Sequence, residues 1–189
     1  MQSNNIVHDS QFPFQKQNVS GRILNIGSNT DPSELKKLDA INVDVCEVDP
    51  VTKMPNVFDV LADARNLPET LYHKFDCVVL GEILEHMTDE DIIKTLFEAK
   101  CCLEDLTKGW IVITFPEEHR SLESGAQREG VDPKTEYAPG ISAFHPRKIT
   151  LEDMKILLDK ANLGIQKQEE IHYPFDGVKG WGLVVKLCL

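Results

Sequence analysis

Residues 22–30 read RILNIGSNT, and they decide the fold because an apolar strand pattern ends there in a turn that contains glycine. The apolar letters predict a buried strand, and Gly27 permits the sharp turn that follows it. Residues 31–38 then begin with Asp-Pro-Ser, which is typical of a helix start. Such a turn presents backbone N–H groups to a nucleotide-like ligand. Since Ser28 and Asn29 stand where a dinucleotide fingerprint has further glycines, a ligand without phosphates fits better.

The composition fits a single globular α/β domain over residues 1–189, with 41% hydrophobic and 27% charged residues. There are 31 acidic residues against 20 basic ones, and the basic residues are scattered along the chain. We therefore expect no duplex nucleic acid as partner, because binding to phosphates needs local positive charge.

The longest apolar stretches have the length of a strand, and the amino terminus lacks the apolar segment of a signal peptide. These features predict a cytoplasmic protein with no membrane partner. The five cysteines show no C-x-x-C spacing and are odd in number. They predict reduced, mostly buried thiols, and we expect no metal site.

Strand and helix patterns alternate along the chain, which predicts a parallel sheet. The predicted strands cover residues 22–27, 41–46, 57–61, 75–80, 110–115, 165–172 and 181–187. The predicted helices cover residues 32–39, 89–104 and 150–162, the last two with Thr88 or Asp89 and Thr150 as caps. We expect residues 1–20 to be a loose lead-in and residues 116–146, rich in Gly, Pro and charge, to be a long loop or lid.

Five motifs, in this order, resemble those of class I S-adenosylmethionine-dependent methyltransferases. They are RILNIGSNTDP at 22–32, INVDV at 41–45, FDVLADARNLPE at 58–69, FDCVVLGEILEHM at 75–87 and WIVITFPEEH at 110–119. The chain most resembles the type 11-like branch, whose fourth strand ends in Leu-Glu-His. Residues 144–163 are similar to the histidine-then-helix segment of that branch. The resemblance implies a Rossmann-like fold with a mostly parallel seven-stranded sheet, an antiparallel last strand and helices on both faces.

The resemblance also implies S-adenosylmethionine as the cofactor, with an acidic residue near the second strand as its ribose ligand. A carboxylate there can accept both ribose hydroxyls of an adenosine. Asp44 and Asp49 both lie near the offset of about 20 residues from the glycine turn, so the spacing does not choose between them. The likeness of INVDV to the family pattern favours Asp44.

Further cofactor contacts follow from the resemblance. In the family, an acid and the next backbone amide read the adenine, which implies Asp63 and Ala64. Arg65 either stacks on the adenine or forms a surface salt bridge. Glu82, at the end of the fourth strand, is expected to form a wall of the site. The complete implied set is Asn25, Gly27, Ser28, Asn29, Asp44, Val45, Asp63, Ala64, Arg65, Leu80, Gly81 and Glu82.

His86 is the candidate catalytic residue, because an imidazole with an ordinary pKa near about 6.5 can take a proton from the acceptor. The alternative is that the Glu85-His86 pair orders the cofactor pocket. His119 and His145 either face the acceptor or are solvated loop residues.

The expected substrate is an O or N atom of a small metabolite, sugar or lipid-linked intermediate, because the variable segments at 1–20, 116–146 and 173–180 are short. The acceptor site is then either open or completed by a second copy or a partner subunit. Two alternatives stay open. A non-catalytic cofactor-binding regulator or partner subunit is one, because Asn25 and the residues after Gly27 depart from the usual first loop. A nicotinamide-dependent oxidoreductase is the other, although it would require the missing glycines.

Overall fold

A computed structural model of the chain describes residues 4–28, 33–117, 132, 134–146, 148–173 and 178–188. The α-helices are α1 (Asn4–Asn18), α2 (Ser33–Lys36), α3 (Asp89–Cys102) and α4 (Leu151–Lys160). The strands are β1 (Ile23–Ile26), β2 (Ile41–Asp44), β3 (Val60–Leu61), β4 (Cys77–Gly81), β5 (Trp110–Pro116), β6 (Glu136–Ala138), β7 (Ile141–Ser142), β8 (Leu163–His172) and β9 (Lys179–Leu187). Two 3-10 helices cover Glu69–Leu71 and Leu84–His86.

Seven strands form one sheet in the order β3-β2-β1-β4-β5-β9-β8, and β6 pairs with β7 in a separate hairpin. Strands β1 to β5 run parallel to one another. Strand β9 lies antiparallel between β5 and β8. This arrangement confirms the predicted mostly parallel sheet with an antiparallel last strand.

The sheet separates two hydrophobic cores, because successive residues of a strand point to opposite faces. Val78 of β4 belongs to the larger core, together with Leu96 of α3 and Leu157 of α4. The next residue, Val79, belongs to the other core, which contains Phe14 of α1. Helices therefore cover both faces, as predicted.

Residues 4–18 form helix α1, which corrects the expected loose lead-in over residues 1–20. Pro13 lies inside the helix, and its missing N–H makes the segment a poor helix pattern when read alone. The helix is stabilised by distant partners. Gln15 Nε2 donates to Thr114 Oγ1 of β5 at 3.0 Å, and Thr114 Oγ1 donates to Gln11 Oε1 at 2.7 Å. All three side chains are buried, so their hydrogen bonds attach α1 to the carboxyl-terminal half of β5.

Helices α3 and α4 begin where the sequence predicts, because their N-caps are local. Thr88 Oγ1 accepts a hydrogen bond from the Asp91 amide at 3.2 Å, and Thr150 Oγ1 accepts one from the Asp153 amide at 3.1 Å. The Asp153 carboxylate accepts in return from the Thr150 amide at 2.9 Å, which completes a capping box.

Three predicted segments differ in extent or kind. Within the described residues, the predicted strand 57–61 pairs only over β3, and the predicted helix 32–39 is helical only over α2. The predicted loop 116–146 contains the β6–β7 hairpin, while its residues 118–131 lie outside the described part of the chain. No helix among the described residues has the length and apolar character needed to cross a membrane.

Candidate functional site

A cleft opens where β1, β2 and β4 end at their carboxyl edge, the place where open α/β sheets bind ligands. It holds about 680 Å³ of space between atoms, part of which is open to solvent. The hairpin β6–β7 lies against its other side. The lining residues are Ile26, Gly27, Val43, Asp44, Val45, Asp49, Asn56, Ala62, Ala64, Gly81, Glu82, Ile83, His86, Met87, Tyr137 and Ile141.

Gly27 forms the turn at the end of β1. Its φ is +80°, in the region that favours glycine, and its amide donates to the Val43 carbonyl at 2.8 Å. A Cβ on this residue would lie 2.1 Å from Cγ2 of Ile83. A larger residue would therefore displace Ile83, which itself lines the cleft.

The structure brings both candidate ribose ligands, Asp44 and Asp49, to the cleft. Asp44 is the last residue of β2, and its Oδ1 accepts from the Val45 amide at 2.8 Å. Asp49 lies in the following turn, where its Oδ1 accepts from the amides of Val51 at 2.9 Å and Thr52 at 2.6 Å. Each Oδ1 thus accepts from two amides that follow it in the chain, and the two residues differ in place: Asp44 ends β2, whereas Asp49 lies in the turn beyond it.

Asn56 is a cleft residue that the sequence analysis did not identify. Its Nδ2 donates to Asp44 Oδ1 at 3.1 Å and to the Cys46 carbonyl at 3.0 Å. Its Oδ1 is buried and has no hydrogen-bond partner among the described residues. A buried acceptor of this kind is satisfied when a ligand donates to it. No motif in the sequence marks Asn56, because the loop between β2 and β3 folds it back onto Asp44.

Arg65 forms salt bridges, which is one of the two roles predicted for it. Its Nη2 lies 2.6 Å from Asp63 Oδ2, and its Nη1 lies 3.4 Å from Asp91 Oδ2 at the start of α3. Nη2 also donates to the Pro139 carbonyl at 2.9 Å, in the turn between β6 and β7. Burial acts to raise the pKa of Asp63, but the hydrogen bonds from Arg65 outweigh it and lower that pKa. Arg65 thus attaches the hairpin to the sheet.

Several residues of the predicted set do not line the cleft. Asn25 is buried in the sheet, where its Nδ2 donates to Asn42 Oδ1 at 3.0 Å. The Ser28 hydroxyl donates to the Val57 carbonyl at 2.7 Å. Leu80 is fully buried in the larger core, and Asn29 lies outside the described residues. The predicted residues that do line the cleft are Gly27, Asp44, Val45, Ala64, Gly81, Glu82 and His86.

Glu82 forms a wall of the cleft at the end of β4. Its φ is 56°, an uncommon value for a residue with a side chain, so the backbone turns sharply here. The hydroxyl of Tyr173, at the end of the β8 segment, donates to Glu82 Oε1 at 2.6 Å. Burial and the neighbouring Glu82 carboxylate both raise the pKa of Tyr173, so this hydroxyl keeps its proton and its hydrogen bond.

Glu85, His86 and His145 come together beside the cleft. The Nε2 atoms of both histidines lie 4.0 Å from Glu85 Oε1, and the two imidazole centroids are 5.0 Å apart. Tyr137 of the hairpin packs edge-on against His86 with a centroid separation of 5.3 Å. The third candidate histidine, His119, lies outside the described residues.

The surroundings of these groups alter their proton affinities. Burial, and then the neighbouring Glu82, raise the pKa of Glu85 well above its ordinary value. Burial and the adjacent His145 lower the pKa of His86 to about 3. The imidazole of His86 is therefore neutral at pH 7, and its low basicity makes it a poor proton acceptor by itself.

A profile of the methyltransferase domain family matches residues 5–168. The chain belongs to this family. Its fold is that of the class I methyltransferases, and its methyl donor is S-adenosylmethionine, as the sequence predicts. Membership of this family decides against the nicotinamide-dependent oxidoreductase.

Solved structures share the fold at low sequence identity. A protein from Pyrococcus horikoshii is 15% identical, with a TM-score of 0.67, and the match covers 100% of this chain and 93% of that one. An S-adenosylmethionine-dependent methyltransferase from Leishmania major is 15% identical, with a TM-score of 0.65 and coverage of 95% and 73%. Another from Methanosarcina mazei is 13% identical, with a TM-score of 0.63 and coverage of 94% and 98%. No curated protein sequence matches this methyltransferase.

Proposed function

We propose that this methyltransferase binds S-adenosylmethionine in the cleft and methylates an O or N atom of a small metabolite, sugar or lipid-linked intermediate. The observation that carries the proposal is the set of groups at the carboxyl edge of β1 and β2. The backbone turns at Gly27 with φ +80°, the Asp44 carboxylate ends β2, and the buried Asn56 Oδ1 has no hydrogen-bond partner among the described residues. These are the groups that an adenosine with free ribose hydroxyls requires.

Three cleft residues, Asp44, Ala64 and Gly27, hold the donor in this proposal. Asp44 accepts the ribose hydroxyls, and its orientation is fixed by Asn56 and by the Val45 amide. Ala64 offers its backbone amide to the adenine. Gly27 allows close approach of the backbone.

A small acceptor is supported by the way the hairpin closes the cleft. Tyr137 and Ile141 of β6–β7 face the same space as Glu82 and His86. The acceptor therefore enters between the hairpin and the end of β4, where carboxylate and imidazole groups suit a hydroxyl or an amine. The limited room favours a small acceptor group over the face of a macromolecule.

The reaction needs little covalent participation by the protein. When bound, S-adenosylmethionine supplies an electrophilic methyl group on a sulfonium. The residues of the cleft orient the acceptor atom for an in-line displacement and exclude water from it. Because His86 is a weak base, the residues near it act mainly by positioning the acceptor.

Binding measurements test the donor site. Titration calorimetry with S-adenosylmethionine and S-adenosylhomocysteine is expected to show one site per chain, with NAD as the negative control. Asp44→Asn keeps the shape of the side chain but removes its charge, and it is expected to weaken binding by about 1–3 kcal/mol. The matched variant Asp49→Asn is expected to stay within a few-fold of the unmodified chain, because Asp49 lies in the turn beyond the strand end. The reverse ranking would move the ribose site to Asp49.

A second function, donor binding without catalysis, is favoured by one observation. Asn25 replaces the usual acid of the first strand, and its side-chain amide donates a hydrogen bond to Asn42. The Ser28 hydroxyl donates to the Val57 carbonyl, and neither side chain lines the cleft. Methyl transfer from labelled donor into fractionated small-molecule extracts separates the two functions. Incorporation that Asp44→Asn abolishes supports the enzyme, whereas tight donor binding with no incorporation in any fraction supports the regulator.

A further inference from the structure

Glu85, His86 and His145 reach one place from two separate parts of the chain. Glu85 and His86 lie in the 3-10 helix after β4, and His145 follows the β6–β7 hairpin. One ligand atom from each of the three residues lies within 4.8 Å of the other two. The set of two imidazoles and one carboxylate is a known donor set for divalent transition metals.

The Glu85 carboxylate is buried with part of its hydrogen-bonding capacity unmet. Its side chain is 2% exposed, and its Oε2 has no hydrogen-bond partner among the described residues. The 4.0 Å separations from Oε1 to both Nε2 atoms are too long for hydrogen bonds. The Nδ1 atom of His86 is also buried and has no partner in the described part of the chain. Buried polar groups with unmet capacity are costly unless they are paired or coordinate an ion.

We propose that Glu85, His86 and His145 form a site for one divalent first-row transition ion beside the donor cleft. A tetrahedral site with bonds of about 2.1 Å needs ligand atoms about 3.4 Å apart, so the present 4.0 Å separations close by about 0.6 Å on binding. Closing this distance requires a small shift of the His145 side chain, which lies outside regular secondary structure. Three protein ligands leave further coordination positions for a small molecule.

The position of the site gives it a role in methyl transfer, and this part of the inference rests on the proposed function. His86 lines the donor cleft, so an ion at this site lies on the acceptor side. A divalent ion lowers the pKa of a hydroxyl that it contacts. The hydroxyl proton leaves to solvent, the oxygen forms the new C–O bond, and the C–S bond breaks with its electron pair remaining on sulfur. The ion thus favours an oxygen acceptor over a nitrogen one.

The test measures metal binding without donor or acceptor. Protein treated with a chelator and desalted is titrated with Zn²⁺ and with Mn²⁺, and Mg²⁺ serves as the comparison that prefers oxygen ligands. One equivalent of Zn²⁺ is expected to bind and to raise the melting temperature. Mn²⁺ is expected to bind at the same stoichiometry and to be displaced by Zn²⁺, whereas Mg²⁺ binds much more weakly.

Substitutions assign the ion to these residues. His145→Ala and Glu85→Gln are each expected to weaken Zn²⁺ binding more than tenfold, whereas the control His172→Ala, an exposed histidine on β8, leaves it unchanged. Circular dichroism and donor titration show whether each variant is folded. If Glu85→Gln does not fold, His145→Ala alone provides the test. Absent Zn²⁺ binding, or Zn²⁺ binding unaffected by His145→Ala, overturns the inference. A chain that binds the donor but no metal refutes this site alone, whereas one that binds metal but no donor refutes the proposed donor site.

Discussion

Replacement of Gly27 by alanine is expected to destabilise the protein through two separable effects. Residue 27 has φ +80°, and an L-residue in this region costs about 1–2 kcal/mol. The new Cβ would lie 2.1 Å from Ile83 Cγ2, and an overpacked contact of this kind costs about 1–3 kcal/mol. The free energy of unfolding should therefore fall by about 2–5 kcal/mol in total.

A second glycine provides a matched control for the backbone effect. Gly140 has φ +81°, but a Cβ there would meet only the end of the flexible Arg65 side chain, at 3.3 Å. Gly140→Ala should therefore cost about 1–2 kcal/mol, the backbone contribution alone. The difference between the two glycine variants measures the steric contact with Ile83.

A double-mutant cycle tests the steric contact directly. Ile83→Ala removes Cγ2, so Gly27→Ala in that background should cost only about as much as Gly140→Ala does. Urea unfolding followed by circular dichroism gives the four free energies of the cycle. Equal losses for Gly27→Ala and Gly140→Ala, or a cycle with no coupling to Ile83, would refute the reasoning.

The structure also predicts the results of three further experiments. Thr150→Ala removes the N-cap of α4 and should lower the free energy of unfolding by about 0.5–2 kcal/mol, whereas Thr150→Ser should restore most of it. Burial and the adjacent Asp44 raise the pKa of the Cys46 thiol to about 12. At pH 8, iodoacetamide should therefore label Cys46 far more slowly than the exposed Cys188, and mass spectrometry would measure the two rates. Hydrogen bonds from Arg22 lower the pKa of Asp76 to about 2, so Asp76→Asn should destabilise the protein above pH 4. That difference should shrink as the pH falls through about 2, because Asp76 in the folded, unmodified chain becomes protonated there. Persistence of the full difference at pH 2 would contradict the assigned cause.

The cleft residues that were predicted from the sequence lie at the ends of strands. Gly27, Asp44 and Glu82 each stand where an apolar run stops, and parallel strands bring such ends to one edge of the sheet. Asn25 and Ser28 belong to the same motif, but their side chains bind Asn42 and Val57 instead. The motif predicts where the backbone turns at the edge of the sheet. The hydrogen-bond partners of its side chains depend instead on the neighbouring strand and loop.

The sequence by itself determined the elements whose signals are local. The apolar runs predicted the strand segments, and their alternation with helices predicted a parallel sheet. The caps at Thr88 and Thr150 predicted the starts of α3 and α4, because cap and helix lie within a few residues of each other. Helix α1 was decided by tertiary structure, since its buried glutamines find their partner only when Thr114 is placed by the sheet.

The same distinction holds for the chemistry of the site. The motifs predicted the methyl donor through their resemblance to the family, and the family match confirms it. Only the folded chain brings His145 close to Glu85 and His86, and Asn56 close to Asp44. His145 and Asn56 both lie in irregular segments, whose path the sequence pattern does not predict. Contacts between residues far apart in sequence depend on the path of the whole backbone, so no spacing along the chain reveals them.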